Sequence, residues 1–130
     1  MEAYIIDGYR SAVTKAKRGG FKNFRSDDLS VLVIKHLLNK FPEIELDRIN
    51  DVIVGCANPE GEQGLQIGRL ISARALGKEV PGITINRYCA SGLEAISQAV
   101  GKIKAGFGHI YIAGGVESMS MIPMTGYKLA

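Results

Sequence analysis

The stretch ITINRYCASGLEAISQAVGKIKAGFGHIYIA, residues 83–113, decides the fold because it contains a strand, a helix and a second strand in direct succession. The strands are predicted at residues 83–86 and 110–113. The helix is predicted over residues 91–104, where apolar side chains recur at helical spacing: Ile96, Ala99, Val100 and Ile103. Such a unit indicates parallel strands with a helix packed across them.

The same alternation extends toward the N-terminus. Apolar runs predict strands at residues 4–9 and 51–56, and helices are predicted from residues 26–28 to Pro42 and over residues 65–76. Strands that alternate with helices imply an α/β fold with a mainly parallel sheet covered by helices. The alternation extends to about residue 115, and the last fifteen residues are methionine-rich and irregular and look like the beginning of a segment that this sequence does not complete.

Length and composition describe an ordinary globular domain: 130 residues, 46% hydrophobic and 22% charged. The net charge of +3 is too small to indicate a nucleic-acid partner, and aromatic residues are not interleaved with base-reading groups. A local basic run is either a solvated loop or a patch near an anionic substrate, such as a nucleotide-bearing thioester. Its residues are Lys15, Lys17, Arg18, Lys22 and Arg25.

Several classes of protein are not supported. Two cysteines do not make a disulfide scaffold, the N-terminus lacks the pattern of a signal peptide, and no apolar run approaches the length of a membrane span. A cytoplasmic location is the resulting expectation. The sequence has neither metal-ligand spacing nor a glycine-rich phosphate motif, so we expect no bound metal or cofactor.

Cys89 is the main candidate for chemistry because it lies at a predicted strand-to-helix junction. The free N–H groups and the dipole at the start of a helix favour a thiolate, which is the attacking form of cysteine. The same N–H groups can stabilise the oxyanion of an attacked thioester. The alternative is that Cys89 is a buried small hydrophobic residue.

Three segments resemble the thiolase family. Residues 86–95, NRYCASGLEA, resemble the nucleophile segment of thiolases, and residues 114–120, GGVESMS, look like their second N-terminal signature. Residues 6–11, IDGYRS, are similar to the opening strand and turn. The order and spacing of the segments also fit, so the resemblance covers essentially the whole chain.

The resemblance implies acyl transfer to and from coenzyme A, with CoA thioesters as substrates rather than cofactors. Cys89 would attack a 3-ketoacyl-CoA, acetyl-CoA would leave, and free CoA would remove the acyl group from the sulfur; the reverse reaction condenses two acyl-CoA molecules. Residues 122–124, IPM, resemble degradative thiolases, so a fatty-acid-degrading 3-ketoacyl-CoA thiolase is the leading hypothesis. The resemblance also implies that residues 1–118 form a thiolase-like N-terminal α/β domain and that residues 119–130 begin a loop domain that this sequence does not complete. It implies a homodimer or tetramer for the full-length protein.

The sequence departs from the family in its length. Thiolases are longer, and their later half carries a Gly-His-Pro segment, whose histidine activates the nucleophile, and a Cys-x-Gly-x-Gly segment, whose cysteine acts as acid and base. Neither motif is in these 130 residues, and His36, His109 and Cys56 do not match them. We expect His36 on the surface and Cys56 in the core at the end of a strand, and we expect these 130 residues alone to turn over no substrate.

Other residues leave alternatives open. Glu117 either orients groups near the site or forms a structural turn, and Arg69 faces either a subunit interface or solvent. Three methionines either line an acyl channel or pack in a loop: Met119, Met121 and Met124. Two other functions compete with a thiolase: a condensing enzyme such as a ketoacyl synthase, and a non-catalytic module that binds acyl-CoA or a partner protein.

Overall fold

The computed structural model describes residues 2–126. The elements run in the order α1 Ser26–Leu38, β1 Asp51–Gly55, α2 Ile67–Ala75, β2 Gly82–Ile85, α3 Ser91–Lys104 and β3 Tyr111–Gly115. Two short 3₁₀ turns lie at Leu46–Arg48 and Gly61–Gln63. The helices and the last three strands of the sequence prediction are therefore confirmed, with shifts of one to a few residues at their ends.

The described strands form one parallel sheet in the order β2-β1-β3. Gly55, at the end of β1, pairs with Ile85 of β2 on one side and with Gly115 of β3 on the other. The carboxyl ends of all three strands consequently meet at one edge of the sheet. This arrangement confirms the predicted α/β class, and it creates the kind of edge at which open α/β sheets place their ligands.

Helices cover both faces of the sheet. Val52 and Val54 of β1 pack in one core cluster with residues of α1 and α2, whereas Ile53 packs with Ala95 and Ala99 of α3. Side chains alternate between the two faces of a strand, which is why neighbouring β1 residues belong to different clusters. Burial of an isoleucine such as Ile53 stabilises the fold by about 1.5–3 kcal/mol.

The face that α3 turns to the sheet agrees with the prediction at Ala99 and differs from it at Ile96. Ser91, Ala95 and Ala99 are its buried residues, whereas Ile96 is exposed. Small side chains in this row let the helix axis approach the strands closely. A Cβ atom on Gly55 would lie 2.6 Å from the main-chain oxygen of Ser91, so glycine is required where the first turn of α3 crosses β1.

The predicted first strand at residues 4–9 is wrong. These residues pair with none of the described strands, and the side chain of Ile5 is 78% exposed. Both sides of β1 are occupied by β2 and β3, and residues 4–9 do not add to the outer edge of either neighbour, so this apolar run has no hydrogen-bonding ladder. The segment instead contacts α1 and the residues after it, through an ion pair from Lys40 to Asp7 of 2.9 Å and packing of Tyr9 on His36.

The helix α2 begins two residues later than predicted. Leu65 and Gln66 have φ angles of 52° and 61°, in the left-handed region that an α-helix does not use. Leu65 consequently projects outward and is 93% exposed. Arg69 of α2 donates hydrogen bonds to the main-chain oxygens of Lys78 and Val80, so its guanidinium holds the loop before β2.

In the described part of the chain, no helix has both the length and the apolarity needed to cross a membrane. Residues 119–126 form turns after β3. The boundary of a second domain at residue 119 stays a prediction, and residues 127–130 of that predicted domain lie outside the described residues.

Asp27 of α1 pairs with two arginines: Arg74, which joins it to α2, and Arg25, the residue before α1. Its carboxylate accepts hydrogen bonds from Arg25, with N–O distances of 3.0 and 3.2 Å, and from Arg74, at 2.8 Å. The residue is only 4% exposed. Burial alone would raise the pKa of Asp27, but the hydrogen bonds and charge of Arg25, together with the charge of Arg74, outweigh it and hold the pKa below its ordinary value.

Asp27→Asn is expected to destabilise the fold by about 1.5–3 kcal/mol near neutral pH, because it removes the charge that both arginines bind. A carboxylate whose pKa is lower in the folded state stabilises the fold at pH values above its pKa in the unfolded chain, and this contribution is lost as the pH falls through the folded pKa. The difference in free energy of unfolding between wild type and variant should therefore shrink below about pH 4. Urea unfolding at neutral and acidic pH measures this difference.

The exposed Asp47, in the turn Leu46–Arg48, provides the control. Asp47→Asn should change stability by no more than about 0.5 kcal/mol. An Asp27→Asn variant as stable as wild type, or a loss of stability that does not depend on pH, would contradict the stabilising role of the charged Asp27 side chain.

Candidate active site

Cys89 lies in the turn between β2 and α3. It stands two residues before Ser91, where the helix begins, and its thiol is exposed. The preceding residue, Tyr88, has a φ angle of 47°, so the chain turns sharply just before the cysteine. The sequence predicted Cys89 at a strand-to-helix junction, and the structure places it there, between β2 and α3.

Ser91, the first residue of α3, stabilises this turn through hydrogen bonds to its main chain. Its Oγ accepts a hydrogen bond from the N–H of Arg87 at 2.8 Å and donates one to the main-chain oxygen of Tyr88 at 2.6 Å. The N–H groups of Ala90 and Ser91 also bond within the turn. The remaining first-turn N–H groups, those of Gly92 and Leu93, have no acceptor in their own helix, and such groups attract negative charge.

A cavity of about 530 Å³ opens beside Cys89 at the carboxyl edge of the sheet. Its size is typical of small-molecule sites. Three glycines from three elements belong to its lining, namely Gly55 of β1, Gly92 of α3 and Gly115 of β3. Its other lining residues are Ala57, Asn58, Tyr88, Cys89, Ser91, Val116, Glu117, Met119 and Met124.

Two of the three methionines line this cavity. Met119 and Met124 do so and are both exposed, whereas Met121 is not among the lining residues of the described chain. Flexible, polarisable methionine side chains adapt well to apolar ligands. The position of these two residues is therefore compatible with the acyl-channel interpretation, which stays a prediction.

Glu117 follows β3 and reaches across to the loop after β1. Its carboxylate accepts hydrogen bonds from the main-chain N–H of Ala57 and from the side-chain amide of Gln63, both at 2.7 Å. Gln63 is 0% exposed, and it also accepts a hydrogen bond from the N–H of Ser118 at 2.5 Å. Sequence reasoning placed Glu117 near the site but missed Gln63, since a lone glutamine in a loop carries no signal.

Cys56 differs from Cys89 in its surroundings. It is buried, as predicted, directly after β1. Burial, together with the nearby charge of Glu117, raises the pKa of the Cys56 thiol to about 12. Its sulfur lies 3.9 Å from the Glu117 carboxylate, and both cysteines are free. Cys56 therefore stays a thiol at neutral pH and is chemically inert.

The two histidines lie away from Cys89. His36 is exposed on α1 and packs on the ring of Tyr9 at 4.2 Å, which confirms its predicted surface position. His109 is also exposed and donates its main-chain N–H to Asn50. Neither lines the cavity beside Cys89. Within residues 2–126, no three His, Cys, Asp or Glu side chains come together as ligands for a metal.

The basic run lies in an exposed loop that touches the segment after β3. The N–H of Lys17 donates to Ser120 Oγ at 2.8 Å, and Arg25 pairs with Asp27. The side chains of Lys15, Arg18 and Lys22 are exposed. Both interpretations of this run, a solvated loop and a patch for an anionic substrate, remain compatible with its position.

Alkylation should distinguish the two thiols. In the native protein, iodoacetamide is expected to modify Cys89 and leave Cys56 unmodified, because only the Cys89 thiol is exposed and the pKa of Cys56 is raised. Cys89 should also react faster than a cysteine in an unstructured peptide at the same pH, because the first-turn N–H groups of α3 attract negative charge. Mass spectrometry of proteolytic peptides measures both rates, and urea-unfolded protein serves as the control. Faster modification of Cys56, or a Cys89 rate at or below that of the peptide, would contradict these expectations.

Comparison with known proteins agrees with the resemblance to thiolases. The family model described as "Thiolase, N-terminal domain" matches residues 3–129. A 3-ketoacyl-CoA thiolase of Bacillus subtilis (strain 168) is 48% identical over 127 residues, which cover 97% of this chain and 32% of the relative. A 3-oxoadipyl-CoA/3-oxo-5,6-dehydrosuberyl-CoA thiolase of Escherichia coli (strain K12) is 43% identical over 130 residues, covering 99% of this chain and 32% of that protein.

A beta-ketoadipyl-CoA thiolase of Acinetobacter baylyi is also similar. It is 44% identical over 122 residues, which cover 93% of this chain and 30% of the relative. The chain thus spans about a third of the length of the curated relatives it matches.

Proposed function

Since the chain belongs to the thiolase family, we propose that this protein transfers acyl groups to and from coenzyme A through an acyl thioester on Cys89. One observation carries the proposal: the exposed Cys89 thiol lies on a sharp turn before α3, beside a cavity of about 530 Å³ at the carboxyl edge of the sheet. The inert Cys56 is excluded as the nucleophile by its burial.

The proposed reaction is the thiolysis of a 3-ketoacyl-CoA. The Cys89 thiolate adds to the 3-keto carbon, and the N–H groups at the start of α3 stabilise the resulting oxyanion. The bond between C2 and C3 then breaks, and the departing carbanion takes a proton to become acetyl-CoA. The shortened acyl group remains on Cys89 until the thiolate of free CoA attacks the thioester and regenerates the cysteine. The reverse sequence of steps condenses two acyl-CoA molecules.

Proton transfer in this reaction needs an acid and a base. The family resemblance assigns these roles to a histidine and a second cysteine in the later half of thiolases. The His36 and His109 side chains do not line the cavity, and the Cys56 thiol is held protonated, so none of them suits the role. The proposal therefore includes the expectation that residues 1–130 alone complete no catalytic cycle.

The substrate class follows from the shared chemistry of the relatives. Their names include 3-ketoacyl-CoA and beta-ketoadipyl-CoA, and both of these compounds contain a keto group and a CoA thioester. Met119 and Met124 would contact the acyl chain, which favours an apolar tail and thus the degradation of fatty acids. The same proposal includes acyl-CoA and CoA as partners, a homodimer or tetramer for the full-length protein, and a cytoplasmic location.

Trapping of the intermediate tests the proposal. The full-length protein is incubated with acetyl-CoA without a second substrate, and its intact mass should rise by one acetyl group that maps to Cys89. A Cys56→Ala variant, which retains the exposed thiol, should form the same adduct. Binding of acetyl-CoA without any adduct would favour the non-catalytic module, in which Cys89 forms no covalent bond, and would overturn the proposed chemistry.

A further inference from the structure

Asn86 stands at the start of the turn that carries Cys89, and its side-chain amide bonds in two directions. Its Oδ1 accepts a hydrogen bond from the N–H of Tyr88 at 2.8 Å. Its Nδ2 donates to the main-chain oxygen of Ala57 at 3.0 Å. The first bond is an Asx turn, in which an asparagine fixes the chain two residues ahead. The second ties that turn to the loop after β1.

The hydrogen bonds continue from Ala57 to the loop after β3. The N–H of Ala57 donates to Glu117 Oε2, whereas Glu117 Oε1 accepts from Gln63, both at 2.7 Å. Gln63 in turn accepts a hydrogen bond from Ser118. We name this series, from Tyr88 through Asn86, Ala57 and Glu117 to Gln63, the strand-end relay. It joins residues that follow β2, β1 and β3, and most of them line the cavity beside Cys89.

The conformation of Tyr88 explains why the turn needs support. Its φ angle of 47° is unfavourable for a bulky residue and persists only where the surroundings impose it. The Tyr88 side chain is 77% exposed, so packing of the ring does not impose this conformation. The hydrogen bonds to its main chain do so: Asn86 binds its N–H, and Ser91 binds its oxygen.

We propose that Asn86 is a positioning residue for the Cys89 nucleophile, holding the turn so that the thiol stays aligned with the start of α3. The relay anchors Asn86 to the ends of the other two strands. The assignment rests on the proposed function, in which Cys89 is the nucleophile. The Cys89 thiol is already exposed, so loosening the turn gives a reagent no better access. It only removes the alignment of the thiol with the start of α3.

The test compares native alkylation of Cys89 by iodoacetamide in the wild type and in two variants. Asn86→Ala removes both hydrogen bonds and is expected to slow alkylation about two- to fivefold, which corresponds to the stabilisation that a helix terminus gives an adjacent negative charge. Asn86→Ser keeps a hydroxyl that can accept from the Tyr88 N–H but is too short to reach Ala57. Its rate should lie between those of the wild type and Asn86→Ala.

Asn23 and Cys56 supply the controls. Asn23 is exposed in the loop before α1 and does not line the cavity, so Asn23→Ala should leave the Cys89 rate within twofold of wild type. Modification of the buried Cys56 in the same sample reports on unfolding, which a purely structural role of Asn86 would increase.

The proposal is overturned if Asn86→Ala leaves the Cys89 rate unchanged while Cys56 stays protected. It is also overturned if both Asn86 variants expose Cys56, because Asn86 would then only stabilise the fold. Alkylation needs no acyl-CoA, so a failure here is distinguishable from a failure to form the acyl adduct.

Discussion

Replacement of Cys89 with serine is expected to lower the rate of 3-ketoacyl-CoA thiolysis by the full-length protein at least about a thousandfold. Serine has nearly the shape of cysteine, so the turn before α3 should keep its conformation. Its hydroxyl, however, stays protonated at neutral pH and forms a nucleophile only with a strong base beside it. The helix terminus that favours a thiolate does too little to ionise an alcohol.

The measurement is the initial rate of acetyl-CoA formation at saturating CoA. Cys56→Ala provides the matched control, because it removes the other thiol of the chain and leaves the cavity lining unchanged. Its kcat should stay within about threefold of wild type, although its stability falls because a buried side chain is shortened. A Cys89→Ser protein that keeps a tenth of the wild-type rate would rule out Cys89 as the nucleophile.

Gly55→Ala is expected to destabilise the fold by about 3 kcal/mol or more. The new Cβ atom would lie 2.6 Å from the main-chain oxygen of Ser91 and 2.7 Å from the nitrogen of Gly92. Both distances are far below van der Waals contact, and both neighbours are backbone atoms that no side-chain rotation can move. Since β1 is the central strand, relief would require α3 to shift away from the sheet.

Gly114→Ala is the matched control for this effect. Gly114 lies in β3, opposite Val54 of β1, one pair away from Gly55 in the register. A Cβ atom on Gly114 would meet no heavy atom within 4 Å, so the same substitution should change stability by less than about 1 kcal/mol. Urea unfolding of both variants measures the difference. Equal losses of stability in the two variants would show that the replacement of any strand glycine, rather than the crossing of α3 over β1, accounts for the destabilisation.

Local sequence patterns predicted most of the fold. The helix at Ser91–Lys104 was predicted with its observed bounds, because its small residues, apolar spacing and following glycines are all local signals. The strand at residues 4–9 was not formed, since a strand also needs a partner, and partners depend on the whole sheet. The sequence placed Ile96 and Ala99 toward the sheet, and the structure confirms Ala99 but buries the smaller Ala95 in place of Ile96.

The candidate site was predictable only in part. Cys89 stood out because its position at a strand-to-helix junction and the surrounding motif both point to it. Asn86 lies in the same motif, but nothing in the sequence indicates that its amide reaches Ala57, which is 29 residues earlier. Gln63 was missed for the same reason, since its partners after β3 come close only when the three strands align. Polar contacts between distant loops depend on the assembled sheet.

One glycine of the cavity lining limits how this surface can change. Gly55 presents main chain to the cavity, and a Cβ atom there would meet the backbone of Ser91 and Gly92, so mutation cannot reshape that part of the lining without disturbing the sheet. Met119 and Met124 also line the cavity, but they are exposed and lie outside the strands, so they are free of that constraint. Under the proposed function, related proteins can therefore acquire a preference for a different acyl tail at these two positions while the backbone beside Cys89 is kept.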